Sequence, residues 1–401
     1  MSTSISAALV ASGGPDWLER RRQAALAKLE TLESPTASEE IWRYSPIASR
    51  DLVNAERGTE VSITHDLPMA PTITVRADSI TIGDLPKGVS AERFSEADGA
   101  PEVADSDDFL VALNQATITD GLRLRVERAQ LVKEPIVILH EIPSGFSSGR
   151  VSIDLAEGSA CEVIEVFVGG DASSISVPVT EAALGAGSSL NHSAIQLLAE
   201  DAWHLGTIEV AVEQDASLVQ FLAGIGAAYD RCRNDVALIG DGASSTLRAT
   251  YHGEQHQIHD LRTNQDHRAP RTISNMLCKG AVRDESHSIY SGMIRMRNGA
   301  VRSDAVQTNH NLVLDESARA DSVPNLDIEE NDVRCAHGST VGPLDEDQRF
   351  YLEARGIDPD HVETLLVQGF YADLLSGVSP TAAAIVAPSL EQRLAKVSTH
   401  G

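Results

Sequence analysis

Basic residues are scarce. Lys and Arg number 32 against 59 Asp and Glu, a formal net charge of −27. Nucleic acid and anionic membrane are held by clustered Lys and Arg, so this balance argues against both as partners. Cysteine is scarcer still: Cys161, Cys232, Cys278 and Cys335 lie far apart, with no CxxC spacing. A long chain with few scattered thiols is not a disulfide scaffold. No apolar run approaches the ~20 residues that span a bilayer. The opening M-S-T-S-I-S-A-A-L-V lacks the charged segment and apolar core of a secretory signal. The expectation is a cytoplasmic protein whose thiols stay reduced and able to hold metal. Catalytic signatures are missing as well. G-x-x-x-x-G-K-[ST], G-x-S-x-G and HExxH do not occur, so the chain has no phosphate-binding loop and reads as no self-contained hydrolase. Gly224 and Gly226 lie in an apolar run without a following helix or an acidic ribose partner, a poor dinucleotide fingerprint.

What is present falls into three stretches. Residues 1–120 form a helical and mixed region. Within it, 16–33 read as an amphipathic helix with Leu18, Ala25, Leu29 and Leu32 near one face. Ser34-Pro35 stops that helix, Trp42-Arg43-Tyr44 is an aromatic segment, and Asp107–Asn114 reads as a short helix. Residues 121–344 are strand-like, with runs at 122–126, 136–139, 151–155, 161–168, 190–198, 206–212, 218–222, 236–239 and 246–250. Small turns recur between them: Glu157-Gly158-Ser159, Ala186-Gly187-Ser188, Asp215-Ala216-Ser217, Asp241-Gly242-Ala243, Lys279-Gly280-Ala281, Asn298-Gly299-Ala300 and Glu316-Ser317-Ala318. Strand–turn–strand units with small residues at the corners suggest a solenoid, with a β-sandwich as the competing all-β arrangement. Residues 345–401 return to helix, at Asp345–Arg355, His361–Leu375 and Ser389–Lys396.

The chemistry-bearing residues concentrate near the end of the β region. Cys335 and His337 are two residues apart, so on a strand they project to one face. Thiolate suits zinc, copper(I) and iron–sulfur species, and imidazole suits zinc, copper and iron. The pair makes half of a soft-metal site. A second group, His252, His256, His259 and His267, lies among Asp260, Arg262 and Asp266 in a stretch that reads as turn-rich. A solvated, hydrogen-bonded polar ladder is expected there ahead of a metal site. Cys161, Cys232 and Cys278 read as ordinary core or strand residues.

Glu329–Gly342, E-E-N-D-V-R-C-A-H-G-S-T-V-G, followed by D-E-D-Q-R-F-Y-L-E-A-R-G-I at Asp345–Ile357, resembles the SufB/SufD family of iron–sulfur cluster assembly proteins. Gly206–Glu209, Gly240–Ala243, Arg262–Ser274, Ser291–Ile294, Gln307–Asn309 and Trp42-Arg43-Tyr44 are similar to it too, so the resemblance covers nearly the whole chain. It implies a mainly β protein, a right-handed parallel β-helix flanked by N-terminal and C-terminal helical regions. The scaffold subunits of the family, SufB, carry a further cysteine upstream and acidic residues where this chain has its Cys-x-His pair. Here Thr308–Asn311 holds no cysteine, and Cys335 and His337 match the accessory, SufD-like kind. The resemblance implies a non-ATPase subunit that pairs with a SufB-like scaffold through the β-helix edge and recruits a SufC-like ABC ATPase through the C-terminal helices. Cys335 and His337 would be ligands to iron or a transient Fe–S cluster shared across the subunit interface, with none stable in the isolated chain. Without its scaffold the same edge would pair with itself and give a homodimer. Phe350, Tyr351, Leu352, Arg355, Leu365, Leu366 and Phe370 are the candidate partner-binding residues, since aromatic anchors dominate interfaces. Two other classes compete. A β-solenoid acting on carbohydrate would need paired carboxylates in an aromatic-lined groove, and aromatics are only 4% of the chain. A purely structural solenoid would need no metal.

Overall fold

The computed structural model describes residues 5–59, 63, 65–77, 79–105 and 107–395. Its body is a parallel β-solenoid of about eight turns. The chain alternates between two sheets, of ten and eleven strands. Tyr229–Leu238 lies in the larger sheet, Ser244–Gly253 in the smaller, and Ile258–His267 returns to the larger. Tyr229, Ile258 and His287 stack in register, and each step adds 29 residues (258 − 229 and 287 − 258). These ladders are parallel, which rules out the antiparallel sandwich considered from sequence.

Strand periodicity sends alternate side chains into the lumen between the sheets. Leu155, Leu184, Val212 and Leu238 stack in register there, each essentially inaccessible. Each such side chain contributes roughly 1.5–3 kcal/mol by leaving water. Corners reverse the chain within a few residues, and at Gly187 and Gly242 φ is +65° and +73°, where a Cβ would be strained. Ser188 and Ala243 then turn inward, wholly buried. The other expected corners are real, with one exception. Lys279-Gly280-Ala281 lies inside the strand Ile273–Val282. Gly280 is there because the Tyr251 ring crosses it: a Cβ would stand 1.7 Å from Cε2.

The expected order of helix, solenoid and helix holds. Helix α1 (Asp16–Leu29) and the wholly buried α2 (Phe109–Thr117) pack together in the N-terminal region. Asp108 caps α2 by accepting from the amides of Leu110 and Val111. Short strands at Ile73–Val75, Ile80–Ile82 and Val89–Arg93 seal the first turn through parallel and antiparallel pairing. At the other end follow α3 (Glu346–Glu353), α4 (Pro359–Leu375) and α5 (Pro380–Ala395). α5 starts well before the expected Ser389. Pro388 sits inside it on the exposed face, as does Ala384, whose carbonyl loses its helical donor to the proline and can turn to water. Helices α4 and α5 seat Val367, Tyr371, Leu374, Ile385 and Val386 on the outer face of the smaller sheet, against Ile164, Val166, Ile195 and Phe221. No described helix is long and apolar enough to cross a membrane.

Candidate functional site

Cys335 and His337 lie on the last strand of the smaller sheet, Arg334–Gly342. Their register partners one turn below are Ala305 and Gln307, both wholly buried in the lumen. Stacked residues on a ladder share a face, so the pair points inward at the open end of the solenoid. Ser339, on the same face, donates to Ser322 Oγ across the lumen at 2.7 Å. Cys335 is half-buried against the aliphatic core, whereas His337 is exposed. Burial, with Asp304 adding repulsion, raises the Cys335 thiol above its ordinary pKa, so a cation would have to displace its proton. Both terminal strands, Arg319–Ile328 and Arg334–Gly342, pair on one side only, leaving a free edge beside the site.

A soft sulfur and a borderline nitrogen on one face fit iron, zinc or copper(I), but two ligands do not complete a shell. Among the described residues, no three His, Cys, Asp or Glu side chains gather as a metal cage. All four cysteines are free. Cys161 and Cys278 are core residues whose thiols burial pushes up to about 12. Cys232 faces a luminal cavity of about 50 Å³, room for a few waters, with Glu165, His204, Asp230 and His259 also in its wall.

The second histidine group is not the solvated ladder expected. The segment is two ten-residue strands, and His252, His259 and His267 are wholly buried in them. They also point apart. His259 and His267 face the lumen. His252 faces outward under α4, with Nδ1 3.2 Å from Tyr371 Oη. Only His256 lies on a corner, exposed, 3.3 Å from Glu285. Sequence reasoning missed a further buried centre. Glu165 lies 2.9 Å from Nε2 of both His140 and His192 and accepts from Thr180 at 2.8 Å. Burial alone would raise its pKa, but those two imidazoles hold it well below the carboxylate range. Only strand register, which composition does not show, brings these residues together.

The expected docking residues divide. Phe350 and Tyr351 are 72% and 56% exposed on α3, which buries none of its residues. Arg355 lies over the Tyr351 ring, 4.2 Å from its centroid. Leu365 is exposed on α4, while Leu352 and Leu366 are half-buried. Phe370 faces the solenoid: Lys279 Nζ sits 5.0 Å over its ring and donates to its carbonyl at 3.0 Å.

The chain is thus a capped parallel solenoid that ends in an unpaired edge, with Cys335 and His337 beside it. The family model described as SUF system FeS cluster assembly, SufBD core domain, matches residues 139–370. The chain belongs to the SufBD family of iron–sulfur cluster assembly proteins. It is 26% identical to the iron–sulfur cluster assembly protein SufD of Escherichia coli over 375 residues, 88% of this chain and 87% of the relative. An iron–sulfur cluster assembly SufBD family protein of Mycobacterium tuberculosis is 29% identical over 391 residues, covering 93% and 90%. SufD of Bacillus subtilis is 24% identical over 397 residues, covering 90% of each chain.

Proposed function

We propose that this chain is a SufD-like, non-ATPase subunit that offers Cys335 and His337 to iron, or to a nascent cluster, at a subunit interface. One observation carries the reading: the pair lies on the luminal face of the last strand, beside an edge with no partner. Iron and cluster are cargo here, passed on to other proteins. A SufB-like scaffold whose own strand continued the ladder would bring the missing ligands. The exposed aromatics of α3 would receive a SufC-like ABC ATPase, which supplies the nucleotide chemistry this sequence lacks. Without the scaffold the same edge pairs two copies of this chain. Such a subunit works in a compartment where thiols stay reduced, such as the cytoplasm.

The test is the iron and sulfide content of the complex purified after co-expression with a SufB-like and a SufC-like protein. Cys335→Ser removes the soft donor with little change of shape, and His337→Ala removes the nitrogen. Each should lower iron content while leaving complex formation and ATP hydrolysis intact. Cys278→Ser should not lower it, because its side chain lies in the closed core. Wild-type iron and sulfide in both site variants would leave the chain a structural partner only.

A further inference from the structure

The last covered turn holds an amide with nothing to bond. Gln307 is wholly buried, and neither Oε1 nor Nε2 has a hydrogen-bond partner. Leaving both groups unmet costs on the order of 1–3 kcal/mol each, so such an amide normally holds a water or a ligand. The neighbouring luminal amides are satisfied. Gln220 and Asn234 bond each other at 3.0 and 3.1 Å. Asn309 accepts from Asn311 and Ser322 at 2.7 Å each. Gln265, the other luminal glutamine without partners, lies one turn further in, on Ile258–His267.

Register places Gln307 directly beneath the terminal site, and the facing sheet leaves space around its amide without bonding it. Gln307 is the register partner of His337 and sits two residues from Ala305, the partner of Cys335. The facing strand makes room for it: a Cβ on Gly292 would stand 2.2 Å from Gln307 Nε2 and 2.5 Å from Tyr290 Oη. One turn further out, the place of Gly292 is taken by Pro324, which has no donor to offer. A metal and its water ligands on Cys335 and His337 would therefore have this amide as their polar neighbour on the inner side.

We propose that Gln307 is a positioning residue of the terminal site, its amide hydrogen-bonded to a water carried by divalent iron on Cys335 and His337. This rests on the reading that the pair receives iron. Water bound to a divalent cation is a stronger donor than free water, and Oε1 accepts from it. No bond is made or broken, and the residue acts by orienting what the two ligands hold.

Cobalt(II) chloride, titrated into the full-length chain, tests this through the thiolate-to-cobalt charge-transfer band. Cys335→Ser should abolish the band and His337→Ala should weaken binding. Gln307→Leu should keep the band but raise the dissociation constant roughly 10–100-fold, the usual cost of losing a second-sphere partner. Its thermal unfolding temperature should match or exceed wild type, because an orphaned amide has been removed from the core. Gln307→Glu restores an acceptor oxygen and should recover the affinity. Wild-type affinity in Gln307→Leu overturns the inference while the Cys335→Ser result still upholds the reading of the pair. An affinity loss that only follows a fall in unfolding temperature, and that Glu does not rescue, overturns it too. Unchanged cobalt binding in both Cys335→Ser and His337→Ala overturns the reading and the inference together.

Discussion

Replacing His267 by glutamine should flatten the acid side of the stability profile. His267 follows Leu238 and precedes Met296 in an otherwise aliphatic luminal ladder. It is wholly buried, with Nδ1 2.7 Å from Thr272 Oγ1 and Nε2 2.8 Å from Ser274 Oγ. Burial lowers its pKa from 6.5 to about 4, opposed only weakly by Asp266. The fold thus favours neutral imidazole. Its contribution is fully present above the unfolded value of 6.5, falls as pH drops from there, and levels off below about 4. At pH 5 the unfolded imidazole is mostly protonated and the folded one is not, which removes about 2 kcal/mol relative to pH 7 at 1.36 kcal/mol per unit. Urea unfolding at both pH values measures it. The loss of unfolding free energy from pH 7 to pH 5 should be about 2 kcal/mol smaller in His267→Gln than in wild type. Acid losses at other buried histidines are common to both proteins and cancel. An equal loss in the two, or an imidazole that titrates near 6.5 by NMR in the folded chain, would refute the argument and reopen the question of a metal at this histidine.

Glu165→Gln puts an amide where one carboxylate meets the imidazoles of His140 and His192 and should destabilise the chain by about 1–3 kcal/mol in urea, the cost of leaving buried hydrogen-bonding groups mismatched. A change under about 1 kcal/mol, as for an exposed pair, would contradict it. Gly280→Ala drives a methyl into the Tyr251 ring and should cost about 1–3 kcal/mol or prevent soluble expression, and wild-type stability would show that the ring moves freely. Phe350→Ala with Tyr351→Ala should leave stability within about 0.5 kcal/mol, because both side chains are exposed. The same double variant should weaken capture of a SufC-like ATPase at least tenfold, and unchanged capture would rule out α3 as the docking helix.

The solenoid was legible as far as its lumen is aliphatic. Strand-like runs stood out up to Thr246–Thr250, where Leu, Val and Ile alternate with polar residues. Beyond that point His259, Gln265 and His267 occupy luminal positions, and the same ten-residue strand reads as polar and turn-rich. Gly280 misled because glycine marks a turn more often than a crossing aromatic, and the ring it admits belongs to the preceding turn. The helix expected from Ser389 begins at Pro380 instead, because Pro388 lies on a solvent face where its interruption of the helix is mild. For the site, spacing placed Cys335 and His337 on one face. It did not show that this face is the lumen, or that Gln307 lies beneath, because both depend on register between residues about 30 apart in the chain.

The covering of the solenoid explains why the site sits where it does. One end is sealed by the strands at 73–93. The Trp42 segment crosses the outside of the larger sheet, with Trp42 under the Arg231 guanidinium and Arg262 bonded to the carbonyls of Glu40 and Arg43. Helices α4 and α5 cover the smaller sheet. Ile80–Ile82 and Val89–Arg93 at the sealed end pair on one side only, and so do the two terminal strands, whose ends carry Ile328 and Val341, each 47% exposed. A strand added there would continue the ladder, taking the edge's backbone groups over from water. Its inward side chains would then stand one interstrand spacing, about 4.8 Å, from those of Cys335 and His337. Side chains on strands that close can converge to place two donors on one metal, at bonds of about 2.0–2.3 Å. If Cys335 and His337 receive iron as proposed, the arrival of one more strand would meet both the hydrogen-bonding demand of the bare edge and the coordination demand of the pair.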